Sequence, residues 1–458
     1  MCVYLKILVE NFDMKKNLNN YIDFLILGAL GQMGKAAQNS LPQTIKELET
    51  YGLYVRSVNL VDPGYRDLER QTDSRMEDVM PIRKFSALSD VLHLLLANTT
   101  ASKARIFIYD ASPTPYHFGH LALITQFFSE DVCYVGEKPI FTTQDQLAIL
   151  QDATLPQIYC NFSETMSDVS LRLAEELVGQ NIVSTHIARI SSVAKKKAHG
   201  LDRDGVTGGA LFDKGIHALA FTIHILGVES VADYEIIHSH IESLCLDEKT
   251  QPVTYLDGMN KWDKKKVSSE LNPFDWSVDG TINVAIKWRV SDDKSSTRQV
   301  HSRYYFSWVG AEWSNGFADF QKHMTDLGFD DREWRLDVDL SKKTGVNLVD
   351  EHVRCSIIET IKYFYVCNFL SSTNPENDAA IWKIEKSLAN RKRIFPVASG
   401  DGSVFNKVRE GKTNRVLVDS ILDWYGVRHA QNLARPITTL THDVLLRLRD
   451  IAYGAQIS

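Results

Sequence analysis

The amino-acid sequence predicts an α/β chain: a doubly wound parallel sheet with helices on both faces, followed by an α+β domain built on a large, open, mostly antiparallel sheet. Three observations lead there. In the first third, short uninterrupted apolar runs alternate with longer segments whose apolar residues recur near helical spacing. A glycine-rich turn directly follows the first of those runs. Past about residue 180 the pattern becomes an alternation of apolar and polar residues, the period of a strand with two unlike faces.

Phe24-Leu25-Ile26-Leu27 is the first apolar run, and Leu53–Val61, Arg105–Tyr109 and Val132–Val135 read as further strands. Ala36–Thr50, Phe85–Ala97 and His117–Phe128 carry helical patterns between them. Strands without an apolar-polar alternation must be buried on both faces, and a parallel sheet sandwiched by helices provides that burial. Downstream, Ile282, Val284, Ile286 and Trp288 alternate with Asn283, Ala285, Lys287 and Arg289. Val300 to Trp308 and Trp334 to Leu340 repeat the period of two, as expected of an open sheet covered by helices on one side. The expected organisation is an extension over 1–20, the doubly wound domain over 21–158 and the α+β domain over 159–458. Within the last, the stretch 247–277, rich in Lys, Asp, Asn and Pro, reads as a loop insertion.

At 458 residues the chain is long enough for more than one domain. Its 44% hydrophobic and 24% charged residues are those of a globular protein, which excludes fibrous and disordered classes. A formal net charge of -7 argues against nucleic acid as a partner. The one dense basic run, Lys195-Lys196-Lys197, reads as a solvated loop or strand end. The six cysteines are scattered without a Cys-x-x-Cys pair, so no metal site or disulfide framework is expected and a reducing compartment is the default. The start of the chain makes a poor secretory signal, with Met14 a natural alternative start, and no apolar run is long enough to span a bilayer. The expected location is cytoplasmic, away from the membrane.

The turn after the first strand reads GALGQMGK, with Gly28, Gly31 and Gly34 spaced Gly-x-x-Gly-x-x-Gly and Gln32 and Met33 between the last two. Glycines suit a strand-to-helix turn that must bend sharply, let a pyrophosphate approach the backbone and pack the helix on the strand, with the helix N-terminus facing the negative charge. Asp62 ends the second strand, where a carboxylate can hydrogen-bond adenosine ribose hydroxyls. It can equally initiate the turn at Pro63-Gly64. Arg66 or Arg70 would suit a 2′-phosphate instead, so the expected cofactor is NAD or NADP, with NAD favoured.

Together with that turn, three further motifs resemble the Gfo/Idh/MocA family of dinucleotide-dependent oxidoreductases. After the fourth strand, DASPTPYHFGHLALI places Ser112, Pro113 and His117 as in the family's Thr-Pro-x-x-x-His segment. Gly136-Glu137-Lys138-Pro139 after the fifth is similar to its Glu-Lys-Pro motif. GGALFDKGIHALAFTIHILG, from Gly208 to Gly227, is similar to its Gly-Gly-x-x-x-Asp-x-Gly-x-His helix. The four span residues 28 to 227 in family order. The chain departs from the pattern at Ala220, often Asp in the family, and in a first glycine shifted by one residue. Residues beyond about 375 and the 247–277 stretch have no counterpart. The resemblance implies a Rossmann domain and a homodimer or homotetramer assembled through the second sheet, for which Tyr305 and Trp308 offer exposed-side or core aromatics. It also implies hydride transfer to or from a small polyhydroxylated molecule such as a sugar or cyclitol. Related readings are a dinucleotide-binding regulator and an NAD-assisted lyase or glycosidase.

Removing hydride from a carbinol requires a base for the hydroxyl proton, and histidine starts closest to a suitable pKa. His217 lies four residues after Asp213 on a predicted helix over Leu211–Leu226, so both can face one substrate. Asp213 can bind a neighbouring hydroxyl or orient the imidazole. Lys138 leaves the carboxyl end of a parallel strand, where its ammonium can stabilise developing alkoxide charge. The resemblance gives Lys138 and His217 proton handling and Asp213 substrate contact, with Glu137 and Lys138 also near the cofactor. The structural alternatives are a core histidine, a charge on the helix dipole and an ordinary strand exit. His224 reads as core and His117 as a cap or cofactor-pocket wall. Glu164, Arg189 and Arg203 are candidates to face substrate that sequence does not separate from surface residues, and specificity is expected on the loop around 195–207.

Overall fold

The computed structural model describes residues 20–66, 81–102, 105–128, 132–149, 157–191, 210–245, 277–292, 296–307, 316–339, 349–369, 380–388, 390–396, 404–430, 433 and 435–457. The expected extension, the loop with Lys195–Lys197 and Arg203, nearly all of the 247–277 stretch, and Arg70, Trp308 and Leu340 lie outside them. The chain divides into two compact units: Met1–Glu137 with Asp152–Tyr159 and Thr413–His429, and Lys138–Gln151 with Cys160–Lys412 and Ala430–Ser458. Each is therefore discontinuous in sequence, where a single cut after residue 158 was expected.

In the first unit, β1 (Tyr21–Leu27), β2 (Tyr54–Val61), β3 (Ile82–Phe85), β4 (Arg105–Asp110), β5 (Val132–Glu137) and β6 (Gln157–Asn161) form a sheet in the order β3-β2-β1-β4-β5-β6. Pairing is parallel from β3 through to β5. The helices α1 (Gln32–Glu49), α2 (Leu88–Ser102) and α3 (Thr114–Phe127) connect the strands. Phe24, Leu25, Ile26, Phe107, Ile108 and Tyr134 are fully buried, as strands without an apolar-polar alternation require. The strand order reverses between β1 and β4, and such switch points are where open α/β sheets bind ligands.

Two strands of this sheet, β3 and β6, escaped the sequence reading. β3 is short and has Arg83 and Lys84 at its centre, which suits a sheet edge but hides it as a hydrophobic run. A late segment of the chain, Thr413–His429, is also built into this unit. On α8 (Val404–Trp424), Asn414 accepts from Thr44 Oγ1 at 2.7 Å and donates to Glu47 at 3.2 Å, while Arg105 stacks on Trp424 and Tyr425.

The second unit carries β7 (Ile182–Ser191), β8 (Val231–Cys245), β9 (Ser277–Asp292), β10 (Ser296–Ser307), β11 (Arg335–Asp339), β12 (Val349–Thr360), β13 (Tyr363–Asn368), β14 (Ala380–Glu385) and β15 (Asn390–Pro396). They form a sheet in the order β15-β14-β13-β12-β7-β10-β9-β8, with β11 paired to β12. Pairing is antiparallel except between β7 and β10. Ile282, Val284, Ile286 and Trp288 are buried as their alternation required. One face packs on helix α6 (Ile216–Leu226), where the Tyr304 hydroxyl donates to Thr222 at 3.0 Å.

The other face is also covered, against expectation. Helix α7 (Phe317–Asp326) sets Phe317, Phe320 and Met324 into a core with Ala188, Ile190, Tyr305, Trp334 and Val353. Tyr305 is thus a core residue, 1% exposed. The physical reason is visible in Tyr304-Tyr305-Phe306: three successive aromatics put apolar surface on both faces of β10, and each face needs cover. Cys133, Cys160, Cys355 and Cys367 are buried free thiols. No helix among the described residues is long and apolar enough to cross a membrane.

Candidate active site

In the first unit, the glycine turn joins β1 to α1 at the switch point. Gly28 has a positive φ of 66°, and a Cβ there would lie 2.7 Å from the backbone of Ala111, after β4. A Cβ on Gly34 would collide with the Gly28 carbonyl oxygen, so the helix sits directly on the turn. Gly31 caps α1 without a side-chain hydrogen bond, and Gly31 and Gln32 are exposed, with Met33 half-buried behind them. The first-turn N–H groups thus form an open, partially positive end. That is the donor set a pyrophosphate needs.

At the end of β2, Asp62 initiates the turn at Pro63-Gly64 as expected and also has a contact that was not expected. Its carboxylate accepts from the Leu30 N–H at 3.0 Å and from the Gly64 N–H at 2.9 Å, so it both holds the glycine turn and closes the turn at Pro63-Gly64. At the neighbouring strand end, Pro113 caps α3 and Ser112 precedes it. His117 is buried, and its Nε2 meets the Ser112 carbonyl oxygen at 2.7 Å, so it braces the turn. A residue that sequence reasoning missed organises this turn. Asp110, fully buried, accepts from the Ser112 N–H through Oδ1 at 3.0 Å, while its Oδ2 accepts from the Tyr134 hydroxyl at 2.8 Å and meets His120 Nδ1 at 2.9 Å. Burial pushes this carboxyl up, but His120, His117 and Ser112 outweigh it and hold it below the usual carboxylate range. An Asp directly ending a buried apolar strand was the signal available. Glu137, at the end of β5, accepts from Tyr109.

In the second unit, Lys138 is followed by a cis bond to Pro139. The segment is anchored on helix α9 (Arg435–Ile457): the Ile140 N–H donates to His442 Nε2 at 3.1 Å, and Arg449 donates to the Thr142 carbonyl. The Lys138 ammonium donates to Asp213, with Nζ–Oδ1 and Nζ–O distances both 3.0 Å. Asp213 lies not in an α-helix, as expected, but in a π-helical turn, Leu211–Gly215, that leads into α6; the Ile216 N–H reaches back to the Leu211 carbonyl. Asp213 and His217 nevertheless line one pocket, with Glu164, Arg189, Lys214 and Arg354.

His217 is partly open to that pocket, and its Nδ1 is buried without a hydrogen-bond partner, so Asp213 does not fix the imidazole through that nitrogen. Burial and then the charges of Lys138, Arg354, Lys214 and Arg189 hold its pKa well below the ordinary histidine value, leaving a neutral ring beside several cations. Glu164 and Arg189, which sequence left undecided, form a buried ion pair at 2.6 Å. Arg189 also donates to the Cys355 carbonyl and stacks on Phe369. Lys214 and Arg354 are pocket residues the sequence reading missed. Arg354, opposite Arg189 in register, is one of several polar residues in β12 and carries no local signal of its own. His224, half-buried, has its pKa pushed down to about 4 by burial. Among the described residues no cluster of His, Cys, Asp or Glu could hold a metal.

No protein-family model matches the chain, and neither does any curated protein sequence. Solved structures do. A UDP-N-acetylglucosamine 3-dehydrogenase from Acidithiobacillus ferrooxidans is similar over 95% of this chain and 98% of its own, at 11% identity and a TM-score of 0.52. The fold is shared. A 3-ketoreductase from Actinomadura kijaniata, solved with TDP-benzene and NADP, is similar over 94% of this chain and 98% of its own (12% identity, TM-score 0.51). A levoglucosan dehydrogenase solved with NADH and levoglucosan is similar over 93% and 97% (10% identity, TM-score 0.53). At such identities the likeness establishes architecture, and chemistry has to be argued from the residues present.

Proposed function

We propose that this chain is an NAD(P)-dependent oxidoreductase of the Gfo/Idh/MocA type that moves hydride between a nicotinamide and a carbinol carbon of a sugar, cyclitol or sugar derivative. The observation that carries the reading is the Lys138–Asp213 pair beside the neutral His217 on one pocket. The first unit supports it with an open helix end at a glycine turn, the fit a dinucleotide requires. An acidic residue, Asp62, at the end of β2 supports NAD over NADP in this reading.

Bound nicotinamide supplies the hydride acceptor or donor. The chain's own residues handle the proton. In the oxidative direction the neutral His217 imidazole accepts the carbinol proton, which its depressed pKa permits across the neutral range. The Lys138 ammonium, positioned by Asp213, hydrogen-bonds the same oxygen and stabilises alkoxide charge as it develops. The Asp213 carboxylate can also accept from a neighbouring substrate hydroxyl.

A screen of polyols and sugar derivatives, followed by nicotinamide absorbance, tests the reading. Turnover of at least one candidate, lost in Lys138→Met and His217→Ala, is the expected result; full rates in both variants would refute the mechanism. Light scattering tests the accompanying expectation of a dimer or tetramer.

A further inference from the structure

The charges around the second-unit pocket do not balance. Among the described residues Arg189, Lys214 and Arg354 line it against the carboxylates Glu164 and Asp213. Both carboxylates are already engaged. Glu164 forms the buried ion pair with Arg189 at 2.6 Å, and Asp213 holds Lys138 at 3.0 Å with Lys214 at 3.8 Å. Arg354 makes no ion pair with another described residue; it faces Arg189 directly across the β7–β12 ladder, and Glu164 is the carboxylate whose charge bears on it. Two guanidiniums that share one carboxylate repel each other, which an anion bound at Arg354 relieves.

We propose that Arg354 is a specificity-determining residue that binds an oxyanion of the substrate, so that the preferred substrate is an acidic sugar derivative rather than a neutral polyol. The inference rests on reading this pocket as the substrate site. A planar guanidinium offers paired N–H donors that match a carboxylate or phosphate in a bidentate way, which a neutral hydroxyl cannot reproduce. Glu164 neutralises Arg189 and fixes its fork against the Cys355 carbonyl and Ser356, leaving the substrate's anion to Arg354. Asp213 and His217 border the same pocket, so an anion seated on Arg354 holds the rest of the sugar near the proposed proton-handling groups.

The test uses the full chain with saturating NAD and matched probes: D-glucose, D-glucuronate and D-glucose 6-phosphate, with D-galactose and D-galacturonate as a second pair. Binding is followed by calorimetry and turnover by nicotinamide absorbance. Tighter binding of an acidic probe than of its neutral partner is expected, with a preference that falls about tenfold or more in Arg354→Met and partly returns in Arg354→Lys. Glucuronate and glucose 6-phosphate separate a carboxylate site from a phosphate site. A preference that survives in Arg354→Met, or no acidic probe binding above its neutral partner, overturns the proposal. Arg354-dependent binding of an acidic probe without turnover would leave this site standing while the oxidoreductase reading failed. Turnover of neutral sugars with no acidic preference would do the reverse.

Discussion

The Lys138 ammonium donates to both the side-chain carboxylate and the backbone carbonyl of Asp213, so one residue of the π-helical turn holds it through two oxygens. A flexible side chain is thereby given one orientation before any substrate arrives, and preorganised charge is worth most in catalysis. Replacing Asp213 with Asn removes the negative charge and leaves the carbonyl contact. Lys138→Met should lower kcat by about a hundredfold or more. Asp213→Asn should cost less, and both variants should bind dinucleotide with nearly unchanged affinity by fluorescence titration.

His217 gives a pH prediction with a definite sign. Burial, and then the cations around it, hold its pKa well below 6.5, so the ring stays neutral and competent as acidity rises past the ordinary histidine range. The acid limb of kcat/KM should therefore fall below pH 6.5. Lys214→Met removes one neighbouring positive charge and should move that limb upward; an unmoved limb would exclude His217 as the titrating base.

His224 makes the fold acid-sensitive. Burial lowers its pKa from 6.5 to about 4, so the unfolded chain takes up a proton before the folded chain does. Stability is full above 6.5 and declines as pH falls from there towards 4. Its Nε2 has no hydrogen-bond partner, so His224→Leu loses no such bond. Urea midpoints should show the wild type losing about 2 kcal/mol between about pH 7 and about pH 5 from this group, and the variant escaping that loss.

Glu164 and Arg189 are 9% and 2% exposed. Glu164→Ala leaves a guanidinium buried without its counter-ion, which should cost about 3–5 kcal/mol in equilibrium unfolding. Replacing both partners with apolar residues should cost much less.

At the glycine turn, Gly34→Ala forces a methyl group onto the Gly28 carbonyl. Overpacking against backbone should cost about 1–3 kcal/mol. Because the helix end is displaced, dinucleotide affinity should fall more than in Gln32→Ala, whose side chain is exposed.

Much of this arrangement was legible in the sequence because period and turn chemistry leave local marks. The buried runs of β1, β4 and β5, the alternation of Ile282 to Trp288 and the glycine spacing each follow from short stretches of chain. What escaped depends on distant partners. Asn414 meets Thr44 and Glu47 only after the chain has returned to the first unit. Tyr305 reads as one face of a strand, and only the arrival of Phe317 and Phe320 makes it core. Arg354 is one charge among several in β12 until Arg189 and Glu164 stand beside it.

The widened backbone of Leu211–Gly215 amounts to one residue more than a regular helix would use there. Since each residue of an α-helix turns about 100°, that surplus sets the angular phase between Asp213 and everything after it. Deleting a single residue from the stretch would let the coil tighten and rotate Asp213, with the two oxygens that hold Lys138, relative to the rest of α6. The carboxylate and the imidazole border one cavity across this irregularity.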